Sequence, residues 1–148
     1  MSRPNLALDR APLIGLVEKA ARALEADMVR EARERGYTEV RLAHNAVFGV
    51  LGTQAERTSD LAARAGITKQ SMGEVVRELV ELGICRMEPD PNDRRAKLVS
   101  FTDHGLEVAA QGRKHLRDLE RRYARTFGDD YETARRVLEW VAEEFPRG

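Results

Sequence analysis

The chain has 148 residues, 42% of them hydrophobic and 34% charged, with 25 cations against 25 anions and one cysteine, Cys85. That length suits a single domain with a real core, and the composition is globular and helix-leaning rather than disordered. It excludes an internal disulfide, no apolar run nears the ~20 residues that span a bilayer, and the acids at Asp9, Glu18, Glu25 and Asp27 argue against a secretory leader, so a cytoplasmic protein with no membrane association is expected.

Residues 1–10 read as a short arm. Pro12 suits a first helical turn. Leu13, Leu16, Val17, Ala20, Leu24 and Met28 recur at helical spacing and predict a long first helix to about Arg35, which Gly36 ends. Tyr37–Leu42 is a connector. Ala43–Gly52 reads as a second helix with Ala46, Val47, Val50 and Leu51 inward, and Thr53–Arg57 as a loop. Thr58 is placed to N-cap a short third helix with Leu61, Ala62 and Ala65 facing the core, closed by Gly66. Thr68 caps a fourth helix, whose buried stripe is Met72, Val75, Val76, Leu79 and Leu82 and which Gly83 stops.

Two short apolar runs follow, Ile84–Met87 and Leu98–Phe101, on either side of Asp90-Pro-Asn-Asp-Arg-Arg-Ala-Lys97. Turn residues between such runs predict a β-hairpin, here with a cationic tip. Thr102 caps a long fifth helix running to about Gly128, and Asp129 with Glu132 forms a capping-box pattern for a sixth, with Val137, Leu138, Val141 and Phe145 on its apolar face.

The fold class expected is mainly α with a small β wing: a winged helix-turn-helix lobe over 43–102, flanked by long helices over 13–42 and 103–148. The apolar stripes of the flanking helices need cover, and a homodimer interface is the natural place for them.

A recognition helix presents its N-terminal residues to base edges in the major groove. Here the outward set is Thr68, Lys69, Gln70, Ser71, Gly73, Glu74 and Arg77. Gln70 can pair with adenine and Arg77 with guanine or phosphate; Ser71 can contact either, Gly73 allows close backbone approach, and Glu74 can accept from cytosine or pair with Arg77. The alternative is a set of ordinary solvated positions on an amphipathic helix. On the hairpin, Asp93 can anchor the turn and hold an arginine side chain, Arg94 or Arg95 can enter a minor groove, and Lys97 lies near phosphates. Thr58 and Ser59 can donate to phosphate or simply cap. Bulk charge does not advertise nucleic acid: from Arg57 to Asp103 eight cations face eight anions, so placement must carry the argument.

The segments Thr58–Ile67, Thr68–Gly83, Asp90–Lys97 and Phe101–Gly105 together resemble the MarR family of bacterial transcription regulators. That family's wing signature, Asp-x-Arg-x-Lys/Arg, falls on Asp93, Arg95 and Lys97. The resemblance covers about residues 13–145 in helix order and is sharp over 58–105. It implies one MarR-like domain, a homodimer with interlocking terminal helices, and double-stranded DNA gripped at a palindromic site. It also implies a small aromatic or phenolic effector between the dimerisation helices and the DNA lobe, in the region of His44, Asn45, Val47 and Phe48. Two features depart from the pattern. The cysteine lies in the first wing strand rather than near the N-terminal helix, so peroxide sensing is not expected. Arg41-Leu-Ala-His-Asn-Ala46 replaces Leu-Thr-x-x-Gln, and Ala43 cannot cap.

His44, His104 and His115 are too scattered for a zinc site, and a satisfied structural role suits His44. No metal or cofactor is expected. With no phosphate loop, nucleophile elbow or catalytic cluster, an enzyme is not expected either. Trp140 reads as packing at the dimer core and Cys85 as a small buried hydrophobe. The reading is therefore a sequence-specific, ligand-responsive repressor; a winged-helix protein-interaction module is the competing one.

Overall fold

The computed structural model describes residues 10–145, so the arm expected over residues 1–10 lies, Arg10 aside, outside the described residues. Two compact units divide the chain after Ala110.

In the first unit, α1 (Leu13–Glu34) begins one residue after Pro12, which sits at the N-cap. Only Val29 of this helix is buried, whereas Leu13, Leu16, Val17 and Leu24 are exposed and Ile14 is 70% exposed. A 3-10 turn at Leu42–His44 leads into α2 (Asn45–Phe48). This is shorter than the helix expected over Ala43–Gly52: Gly49 and Gly52 flank Val50 and Leu51, and the chain curls into a turn, with the Leu51 and Val50 amides both donating to the Val47 carbonyl at 2.8 and 3.1 Å. Val47 and Leu51 nonetheless point inward as expected.

The loop expected over Thr53–Arg57 contains a strand. β1 (Glu56–Arg57) pairs antiparallel with β3 (Asp93–Phe101), Glu56 opposite Val99 and Arg57 opposite Leu98. The sheet therefore has three strands, in the order β1-β3-β2, with β2 at Cys85–Asp90. Because Arg57 is still extended, it takes the N-cap position of α3 (Thr58–Ala65), and Thr58, expected there, is the first helical residue with no side-chain cap bond from either. Gly66 closes α3 in the left-handed conformation (φ 70°), which only a residue without Cβ adopts freely, and the Ile67 amide reaches back to the Ala62 carbonyl at 3.1 Å. α4 (Lys69–Glu81) is capped by Thr68, whose Oγ1 accepts from the Ser71 amide at 3.0 Å.

The core follows from these periodicities. Leu61 and Ala62 of α3 meet Met72, Val75, Val76 and Leu79 of α4, with Ile84, just before β2, and Cys85, Val99 and Phe101 of the sheet closing one side. Phe48 stacks on Phe101 with ring centroids 5.7 Å apart. Side chains of this size contribute about 1.5–3 kcal/mol each when fully buried. α5 (Asp103–Phe127) starts in this unit. Thr102 Oγ1 accepts from the Gly105 amide at 3.0 Å and donates to the Gly83 carbonyl at 2.5 Å, so one hydroxyl ties the helix start to the end of the α4 segment. A Cβ on Gly105 would sit 1.9 Å from the Ile84 carbonyl oxygen; only glycine lets the helix lie so close to the strand.

In the second unit, the rest of α5 is joined to α6 (Asp129–Glu144) by Gly128. Gly128, not Asp129, is the N-cap, and no capping box forms: φ is positive at the junction (55°), and Asp129, Asp130 and Glu132 fall inside the first turn, where their charge favours the helix dipole. Arg135 bridges α6 to Glu120 of α5 at 2.7 Å, and Tyr123 and Tyr131 pack with centroids 6.4 Å apart. Phe127, Val137, Leu138 and Phe145 are exposed, and Trp140 is 61% exposed. No helix among the described residues is long and apolar enough to cross a membrane.

Candidate nucleic-acid interface

The helix-turn-helix is α3 and α4 joined across Gly66-Ile67-Thr68. Lys69, Gln70, Ser71, Glu74 and Arg77 are exposed along one side of α4, opposite the buried stripe. Thr68 and Ser71 are engaged with each other: besides the amide bond, the Thr68 hydroxyl donates to Ser71 Oγ at 2.8 Å. Their first role is to hold the start of the helix. A Cβ built on Gly73 meets nothing within 4 Å, so its lack of a side chain leaves open space on the outer surface. Glu74 does not pair with Arg77; both stand free among the described residues. On α3, Thr58 is half-buried and Ser59 exposed.

The wing is longer than the two apolar runs indicated. Arg94, Arg95 and Lys97 lie on β3 itself rather than on a turn, and the chain reverses at Pro91-Asn92 with Asp90 opposite Asp93. Register slips between Pro89 and Asp90, because Pro89 pairs with Lys97 and the three residues 94–96 bulge opposite no partner. Two carboxylates shape the tip by bonding the backbone two residues on: Asp90 Oδ1 accepts from the Asn92 amide and Asp93 Oδ1 from the Arg95 amide, each at 2.9 Å.

The carboxylate that grips an arginine is Asp90, not Asp93. Arg57 Nε and Nη2 reach Asp90 Oδ2 at 2.9 and 2.8 Å, while Asp93 lies 4.0 Å from the same guanidinium. Asp90 is only 6% exposed. The Asn92 amide, then the Arg57 guanidinium, hold its carboxyl below the usual aspartate range. This pair ties the wing to the foot of α3. The sequence offered a local hint in Asp-Pro-Asn, a turn opener for which Asp90 supplies the acceptor. It offered none for Arg57, which lies 33 residues away.

Charge is sorted across this lobe. Of its eight cations, Arg57 is bound to Asp90, Arg64 to Glu56, and Arg86 to Ser100 and Glu88. The other five, Lys69, Arg77, Arg94, Arg95 and Lys97, are exposed and make no ion pair among the described residues. An even net charge thus hides five unneutralised cations, three on β3 and two on α4.

A cleft of about 400 Å³ opens between Arg33, Thr38, Arg41, His44, Glu78 and Leu82. Of the four residues expected around an effector, only His44 lines it. Val47 is fully buried in the core, Phe48 is spent on Phe101, and the Asn45 amide group donates to the Glu25 carbonyl at 3.4 Å. His44 is 1% exposed, with both ring nitrogens used. Nδ1 accepts from the Arg41 amide at 3.1 Å, which leaves Nε2 to donate to Glu78 Oε2 at 2.9 Å. The histidine thus reaches back to the residue that precedes the 3-10 turn, while making no side-chain cap bond on α2 itself. Arg41 also grips Glu78, with Nη2 at 2.7 and 2.6 Å from its two oxygens. Hydrogen bonds from Arg41 first and His44 second keep Glu78 below the usual glutamate range.

Comparison with known proteins agrees with this geometry. A sequence model described as the MarR family matches residues 53–97, from just before β1 to Lys97 of β3. The HTH-type transcriptional regulator TcaR of Staphylococcus aureus (strain Newman) is 24% identical over 122 residues, 80% of either chain. The PcaV transcriptional regulator of Streptomyces coelicolor, solved with its natural ligand, superposes with a TM-score of 0.68 at 23% identity, covering 97% of this chain and 98% of that one. The transcriptional repressor CouR, bound to a 23-mer DNA duplex, gives 0.72 at 20% identity over 97% and 96%.

Proposed function

We propose that this MarR-type winged-helix protein is a DNA-binding transcription regulator, acting as a homodimeric repressor at a palindromic operator and released by a small aromatic or phenolic effector. The observation that carries the reading is the sorting of charge. Five cations left free on the recognition helix and wing have no internal use, and phosphates would neutralise them with release of counterions. The exposed stripes on α1 and α6 suit a second copy, since single chains rarely leave so much apolar surface in water. CouR on its duplex supports the first part and PcaV with its ligand supports the effector.

Under this reading the dimer sets the separation of two recognition helices, and half-sites one turn apart, ~34 Å, require that separation. An effector that binds better to a mis-spaced dimer lowers DNA affinity by linkage. The reading makes the chain a regulator rather than an enzyme. The test is selection of duplexes from a random pool, followed by salt titration of the winner. Enrichment of an inverted repeat with steep salt dependence is expected. A monomer in solution, no enrichment, or a flat salt response would hand the fold to protein–protein contact instead. Aromatic acids titrated into the preformed complex test the effector separately.

A further inference from the structure

The bonds around His44 form a continuous path into the recognition helix. At the end of α1, Arg33 Nε donates to the Val40 carbonyl at 3.1 Å. The next residue, Arg41, is bonded through its backbone to His44 and through its side chain to Glu78. Glu78 sits on α4, one position beyond Arg77 and four beyond Glu74. Two groups from one short segment therefore converge on one carboxylate of the helix that would enter the groove. The α4 N-terminus, by contrast, is held by its own Thr68 and Ser71, and its inner face by Met72, Val75, Val76 and Leu79 in the core. A two-pronged arginine and a histidine add directional bonds at Glu78, near the other end of the helix. His44 has no freedom to let go, because it is buried and both nitrogens are committed.

We propose that Arg41 and His44, acting through Glu78, are positioning residues that set the rotation of the recognition helix and hence its discrimination between DNA sequences. The inference rests on the DNA-binding reading above.

The sign of the effect separates it from simple electrostatics. Glu78→Gln removes an anion from a DNA-binding helix, which by charge alone strengthens binding to any duplex. Positioning predicts the opposite for the selected duplex: about a tenfold loss, on the scale of one base contact, with binding to random-sequence duplex unchanged or tighter. The experiment measures both affinities for wild type, Glu78→Gln, Arg41→Ala and the double variant, well below each melting temperature. Because Arg41 and His44 act through one carboxylate, the double variant is expected to discriminate no worse than the poorer single. Glu78→Gln with undiminished discrimination, or two losses that add, overturns the proposal. A lowered melting temperature with discrimination intact also overturns it, since that is what a merely structural tie does. If Glu78→Gln does not stay folded, Arg41→Lys keeps the charge, loses the two-pronged grip, and is expected to lose discrimination with little change in random-duplex binding; retained discrimination overturns the proposal there too. A wild type that discriminates nothing sinks the parent reading and this one with it; a wild type that discriminates beside a variant that does so equally sinks only the positioning role.

Discussion

Arg95→Ala is the sharpest probe of the wing. The side chain is exposed and makes no ion pair among the described residues, while its backbone amide, which the substitution keeps, is what Asp93 holds. The fold should therefore tolerate the change, and the effect should fall on DNA. With five free cations per protomer and two protomers, the ceiling on the slope of log affinity against log salt is about −9, at ~0.9 per phosphate contact. Losing Arg95 from both protomers removes up to two contacts, so the slope should become shallower by about 1.8. Raising salt from about 50 to about 200 mM would then cost wild type about tenfold more affinity than the variant. Fluorescence anisotropy on a selected duplex at four or five salt concentrations gives both slopes. Arg86→Gln is the control, because Arg86 is already engaged by Ser100 and Glu88 and should leave the slope alone. An Arg95→Ala slope equal to wild type, or an equal change in Arg86→Gln, would refute the argument that internal pairing sorts the DNA-facing cations from the rest.

Three further outcomes are expected. Asp90 ionises below its ordinary 3.8 in the folded chain, held there by the Asn92 amide and Arg57. The stability this gives is complete above that value and drains away as pH falls from 3.8 through the lowered folded value, so urea midpoints between about pH 2.5 and 6 should drop less in Asp90→Asn than in wild type; parallel curves would contradict the assignment. Burial pushes the Cys85 thiol up to about 12, so a disulfide reagent at about pH 8 should label the native protein only as fast as it opens, and at once in urea. Gly105→Ala should lower the melting temperature: alanine gains about 1 kcal/mol of helix propensity, yet its Cβ would overlap the Ile84 carbonyl, and overpacking of this kind costs about 1–3 kcal/mol or more. A raised melting temperature would mean that helix and strand separate easily.

The helices were legible because their information is local. The stripe Met72, Val75, Val76, Leu79 and the punctuation Thr68 and Gly83 lie within one stretch, and α4 forms as expected except that Leu82, expected in the stripe, is its half-buried C-cap. The features that escaped depend on partners far along the chain. β1 is two residues long, with no alternation to detect, and exists only because Val99 and Leu98 offer it a partner. That strand moved the α3 cap from Thr58 to Arg57. Asp90's arginine lies 33 positions back, out of reach of local turn chemistry, which points to Asp93 instead. For the interface, residue types were readable and most of their pairing was not: Glu88 lies two residues from Arg86, but Arg64's partner Glu56 is eight positions back and Arg57's partner Asp90 is 33 on. Around His44 the reading of a satisfied histidine was available, but its bond to Glu78 spans 34 positions and needed the fold.

The two-residue strand has a consequence larger than its size. β1 precedes the helix-turn-helix, β2 follows it, and both are zipped to β3. The winged lobe is thus a buckle whose two straps fasten to a single tongue, and the tongue is the last of the three strands to leave the ribosome. A fragment cut after Asn92 would keep every candidate DNA-contacting residue of α3 and α4 and yet have nothing to close on. Peptides made by trimming this protein to α4 should therefore stay unfolded, and transplanting the proposed specificity means moving the stretch through Phe101 as one piece.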